Sequence, residues 1–171
     1  MLAKGQHLLL PVNPWFILGS LFVALMLTLV PLGHLPWMPQ IWLLVLLFWC
    51  LHEPNYIGIT VLFFGGLLSD VNDTTILGVH ALAYSVGGCM MLLGRRRLML
   101  FPALQQLPMV FGVLLVVNAL IWVFRLLGNG IWPGWQLLGA PILEACLWPL
   151  LSWILLAPQR RVPDRDLTRP L

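Results

Sequence analysis

An all-α polytopic membrane protein is expected from this chain: a compact bundle of about six transmembrane segments, the second and third short, with both termini cytoplasmic. Three features point there. The 171 residues are 60% hydrophobic and only 9% charged, with a mean hydropathy of +0.94, whereas a soluble domain carries roughly 25% charged residues. A chain this apolar has too few polar side chains to cover a water-exposed surface. Its apolar residues fall into separate runs, several of them near the ~20 residues with which a helix crosses a hydrocarbon core of ~30 Å. The basic residues, Lys4, Arg95, Arg96, Arg97, Arg125, Arg160, Arg161, Arg165 and Arg169, stand mostly at the ends of those runs, where they report orientation. The net charge of +3 is therefore no sign of nucleic-acid binding.

The first segment runs from Trp15 to Leu32 and lacks a small-x-small exit, so it is expected as a retained helix and not a cleaved signal. The second, Ile41 to Leu51, stretches back as far as Trp37 and stops at HEPNY, where Pro54 cannot continue a helix. The third, Ile57 to Leu68, stops at SDVNDTT. The fourth covers Ile76 to Leu93, the fifth about Leu107 to Leu127, and the sixth about Trp135 to Ala157. Counting the second and third as separate crossings brings Arg95–Arg97 and Arg160–Arg161 to the same side as Lys4; counting them as one puts both clusters opposite Lys4. A re-entrant pair would share the first parity and stays open.

One transmembrane domain, 1–157, follows, with an Arg-rich cytoplasmic tail, 158–171, too short to fold alone and expected to be disordered. SDVNDTT and LGNGIWPG then face outward, with Trp37, Trp132 and Trp135 as an outer aromatic belt. LMLFPALQQLP can lie along the cytoplasmic surface, and the arginine triplet reads as an anchor there or, more sharply, as an anionic-lipid site.

Polar residues among the apolar runs are the candidate sites. Asp73 precedes TTILG and is expected to cap the fourth helix. Asp70 lies near the C-terminus of the third helix, an end that disfavours an anion, so it calls for a donor such as His80 or for contact with a partner protein. Gly65 and Ser69, and then Ala81, Ser85 and Gly88, form small-residue stripes that bring helices close, within the chain or against another protein's helix. Glu144 in the sixth segment and Asn118 in the fifth stand equally far from the outer ends of their segments, so a hydrogen bond can join them, with Arg125 as rival partner. Pro141 and Pro149 interrupt the sixth segment and release carbonyls that neighbouring helices or a cavity must satisfy.

No metal or cofactor site is expected. Asp70 and Asp73 lack further ligands nearby, and His7, His34, His52 and His80 are scattered. Cys50, Cys89 and Cys146 lie inside apolar runs and read as packing residues. Ser69, Ser85 and Ser152 have no recognisable base, so no catalytic set is visible.

The stretch MPQIWLLVLLFWCLHEPNYIGITVLFFGGLLSDVNDTTILGVHALAY resembles the rod shape-determining protein MreD family. The matching positions are Pro39, Trp42, Trp49, Gly58, Gly65, Asp70, Leu77, Gly78, Ala81 and Leu82, with Leu147, Trp148 and Pro149 as a second, later likeness. The resemblance implies a non-enzymatic component of the bacterial inner membrane that partners the single-pass protein MreC. Together they link MreB filaments to the peptidoglycan polymerase RodA and its transpeptidase. It also implies a second possibility, because some such proteins look similar to vitamin-binding subunits of transporters. The residues themselves offer an interaction bundle with packing stripes, or a small-molecule-binding subunit built around Glu144, Asn118 and the two prolines.

Overall fold

The computed structural model describes residues 13–29, 39–72, 77–130 and 136–160. Among these the chain is wholly helical: α1 (Pro14–Leu29), α2 (Ile41–His52), α3 (Ile59–Asn72), α4 (Val79–Leu98), α5 (Leu107–Asn129), α6 (Gln136–Leu156) and a closing 3-10 turn, Ala157–Arg160. Every expected apolar run forms a helix. Two stretches, Leu107–Gly128 and Leu138–Gln159, are long and apolar enough to cross a membrane. Three helices are shorter: α1, α2 and α3 have 16, 12 and 14 residues, or about 24, 18 and 21 Å of rise. Pro141 and Pro149 both lie inside α6, which nonetheless runs on to Leu156. The third and fourth helices have other boundaries than expected. α3 runs from Ile59 to Asn72, past Leu68, because Asp70 is buried against the start of α4 and holds the polar end of the run on the helix, and α4 starts at Val79 after a turn at Leu77 and Gly78. The fourth helix does not stop at Leu93 but carries the arginine triplet in its last turn, because long Arg stems let a helix continue past the apolar run while the guanidiniums reach polar surroundings.

α2 is the core. All ten residues from Trp42 to Leu51 are 8% exposed or less, and its neighbours are α1, α3, α4 and α6. A helix apolar on every side must be wrapped by protein or lipid, and here protein does it. The outer helices keep large apolar side chains on their free faces, among them Trp15, Phe22, Phe64, Leu127 and Trp153. Such a surface is at odds with water.

The helices alternate in direction, and polar contacts fix the alternation. Asp70 near the end of α3 binds the start of α4. Gln106, just before α5, donates through Nε2 to the Leu98 and Phe101 carbonyls and accepts from Trp148 Nε1. α3 and α4 touch backbone to backbone: a Cβ on Gly66 would lie 2.5 Å from Ala81 Cα. The small-residue stripes are used here. Gly65 faces Leu46 and Trp42, Gly88 faces Leu62, and Ser85 donates to the Ala81 carbonyl in its own helix.

Candidate functional site

α2 begins below the level of its neighbours. Its first helical residue, Ile41, follows Gln40, whose backbone N–H donates to Glu144 Oε1 at 3.0 Å. The Gln40 side chain accepts from the Tyr84 hydroxyl at 3.0 Å. Tyr84 is five residues into α4 and Glu144 eight into α6, about 8 and 12 Å from those helix starts. The α2 N-terminus is therefore recessed inside the bundle, where water cannot satisfy its unpaired amides.

Glu144 answers that need. It is fully buried, with Oε1 taking the Gln40 amide and Oε2 taking Asn118 Nδ2 at 3.1 Å. The bond to Asn118 is the one that equal depth in antiparallel helices predicts. Asn118 also donates to the Leu114 carbonyl of its own helix, which holds its amide in place. Arg125, the rival partner, lies with its guanidinium over the Trp122 ring, 5.4 Å from the centroid.

From Gln40 the polar contacts run on across the bundle. Ser69 Oγ lies 3.3 Å from the Tyr84 hydroxyl and 3.2 Å from the Gly65 carbonyl, with one proton to offer between them. The Gly65 carbonyl also accepts from Trp42 Nε1 at 3.0 Å. Asn118, Glu144, Gln40, Tyr84, Ser69 and Trp42 thus join α5, α6, α4, α3 and the start of α2 in one chain of contacts.

Asp70 anchors a second cluster beside it, 1% exposed. Oδ1 accepts from the His80 backbone N–H at 2.9 Å and from His80 Nδ1 at 2.8 Å, so Nδ1 carries the proton. Oδ2 accepts from the Gly78 N–H at 2.9 Å and the Ala81 N–H at 3.4 Å. Gly78 has φ of +101°, a left-handed conformation that a side chain would strain. This one carboxylate caps α4 and ties it to α3, the capping role expected of Asp73. The ring edge of His80 then meets Tyr84, centroids 5.8 Å apart.

The other end of α2 is held by a cation. Arg95 Nε donates to the Leu51 carbonyl at 2.7 Å and Nη2 to the His52 carbonyl at 3.2 Å. α2 therefore has a carboxyl at its N-terminus and a guanidinium at its C-terminus, both matched to the helix dipole.

One expectation changes. Asp70 is not available for partner contact, because burial and four donors from its own chain occupy it. Gly65 and Gly88 pack against this chain's own side chains, and Gly65 also lines an open groove along α3. Glu144 and Asn118 turn their polar atoms onto the protein and not toward a ligand. Asp73, Lys4, His7, His34, Trp37, Trp132, Trp135 and the tail from Arg161 onward lie outside the described residues. Gln40, Tyr84 and Gln106 were not singled out by the sequence, and Arg95 only as one of the arginine triplet. A polar residue just before an apolar run, or one tyrosine within it, was the available signal.

Among the described residues no group of three or more His, Cys, Asp or Glu could hold a metal ion, and Ser152 is buried with its hydroxyl unpartnered. An open groove of about 520 Å³ runs along α3 beside Trp42, lined by Val61, Phe64, Leu68 and Val71, with no titratable side chain in its walls.

Comparison with known proteins agrees with the motif. A profile of the family described as rod shape-determining protein MreD matches residues 10–156. The rod shape-determining protein MreD of Haemophilus influenzae is 32% identical over 157 residues, covering 86% of this chain and 93% of that protein. No solved structure matches.

Proposed function

The chain belongs to the rod shape-determining protein MreD family, and from that premise we propose that it is a non-enzymatic, multi-pass component of the bacterial inner membrane. In this reading it binds MreC directly and helps organise peptidoglycan synthesis, with MreB, RodA and the RodA-associated transpeptidase in the larger assembly. Membrane lipids are its other partner, and nucleic acid is not one.

One observation carries the reading: the polar groups gathered at the centre face one another and the backbone, while the free faces of the helices are apolar. A bundle with a locked interior and apolar flanks suits a platform for other membrane helices better than a site for chemistry. Arg95, Arg96, Arg97 and Arg160 belong to the same end of the alternating bundle, which supports six crossings with that end in the cytoplasm. The transport-subunit alternative draws no support from Glu144 and Asn118, which bind each other.

The test is co-purification of the full chain with MreC from the same cells in mild detergent, paired with depletion of the chain in growing cells. A stoichiometric complex and loss of rod shape are expected. A folded chain that brings down no MreC, in cells that stay rod-shaped without it, would overturn the proposal.

A further inference from the structure

We infer that the end of α4 and the turn after it form a binding surface for the phosphate-bearing headgroup of an anionic phospholipid, built on Arg96 and Arg97. The inference rests on the membrane reading above and adds a ligand class to it.

The three arginines do different things. Arg95 points inward and is held by the Leu51 and His52 carbonyls. Arg96 and Arg97 follow at about 100° steps around the helix and are both exposed. Among the described residues neither side chain makes a hydrogen bond or an ion pair to the protein. Half-buried His52 and Glu53 follow the end of α2 at this end of the bundle, so one carboxylate stands against three arginines in the charge balance there.

Apolar side chains bracket the free pair. Leu93 precedes Arg96 and Arg97 by three and four positions, on the same face of the helix, and is 87% exposed. Leu100 follows them by four and three, is 79% exposed, and its N–H still bonds the Arg97 carbonyl, so it extends that face by a turn. Phe101 and Leu104 are exposed beyond it. Were this helix end to project into water, these side chains would be bare on the far side of the charges. Gln106 instead folds the turn back against α4, through the Leu98 and Phe101 carbonyls, so the turn and the arginines lie at one depth.

Exposed apolar groups at that depth belong at the boundary of acyl chains and headgroups, where lipid phosphates lie. A guanidinium binds a phosphate through two parallel hydrogen bonds. An acidic protein segment would satisfy the charges but leave the apolar bracket unmatched. A lipid satisfies both.

The experiment reconstitutes the full chain in bilayers of equal parts phosphatidylglycerol and phosphatidylcholine, extracts it into mild detergent, and counts retained lipids by native mass spectrometry. The wild-type chain is expected to retain phosphatidylglycerol preferentially, less so at high salt. The double variant R96Q/R97Q is expected to retain about tenfold less of it, with phosphatidylcholine unchanged. R96K/R97K, which keeps the charge without the fork, should fall between. Both positions are exposed, so an unaltered thermal melt confirms that the variants fold. Equal phosphatidylglycerol retention by R96Q/R97Q, or no headgroup preference in the wild type, overturns the inference. A chain that does not enter the bilayer overturns the membrane reading and this inference with it, and shows itself before any lipid is counted.

Discussion

At the scale of single residues, Asp70 shows how one carboxylate can define a hairpin. It accepts two backbone amides on one oxygen, and one amide plus an imidazole on the other, all within 3.4 Å. Hydrogen bonds to a charged group are each worth about 1.5–3 kcal/mol, and removing one partner of a buried pair costs about 3–5 kcal/mol. Asp70→Ala should therefore lower stability in detergent by about 3–5 kcal/mol, with Asp70→Asn milder because one oxygen remains. Chemical denaturation followed by helical circular dichroism measures both. A loss below about 1 kcal/mol for the alanine variant would show that water or other groups replace the carboxylate. The sequence marked Asp70 as an anion in need of a donor such as His80 or of a partner protein, and the donor is His80. The sequence did not show that Asp70 itself caps α4, because local capping rules consider only the residues beside the helix start. A carboxylate arriving from the preceding helix is a tertiary event those rules cannot contain.

At the scale of the element, α2 is the informative case. Its apolar run was legible, but a run of Leu, Val and Phe reads the same whether lipid or protein surrounds it, so its place at the centre was not. Nor was its recessed start, which depends on Glu144 and Tyr84 meeting Gln40 from two other helices. The Asn118–Glu144 bond was legible, since depth along antiparallel helices follows from rise per residue alone. α2 behaves as a rigid rod held at two ends, and this has a measurable signature. Glu144→Ala leaves the Gln40 N–H and one of the two Asn118 side-chain N–H groups without an acceptor and should cost about 2–5 kcal/mol. Arg95→Gln removes charged donors from two carbonyls and should cost about 1–3 kcal/mol. If either loss frees the whole rod, the double variant should be less destabilised than the sum of the singles. Distant independent sites add to within about 0.5 kcal/mol. A double-mutant cycle that closes to that margin would mean that the two ends hold α2 separately.

At the scale of the whole molecule, the alternation of six helices makes two ends with opposite chemistry. One end carries Arg95, Arg96 and Arg97 and the exposed Leu100 and Phe101; the other carries the Asp70–Gly78 hairpin with Leu77 exposed beside it. Positive charge near helix ends is retained in the cytoplasm, so the arginine end should face inward and Leu77 outward. Parity alone cannot distinguish two short crossings from a re-entrant pair, but both give this arrangement. The native cysteines complicate a labelling test, because Cys146 is exposed while Cys50 is buried. In a cysteine-free background, Leu77→Cys should react with a membrane-impermeant maleimide in intact spheroplasts, and Arg96→Cys only after permeabilisation. Both positions are exposed, so an unreactive site reports the side of the membrane and not burial. The reverse pattern would invert the molecule and place the arginine surface in the periplasm. Reaction at both sites in intact spheroplasts would mean an even number of crossings between them, which for the single helix α4 is none. α4 would then no longer span, and the close Gly66–Ala81 approach would join a crossing helix to a surface one.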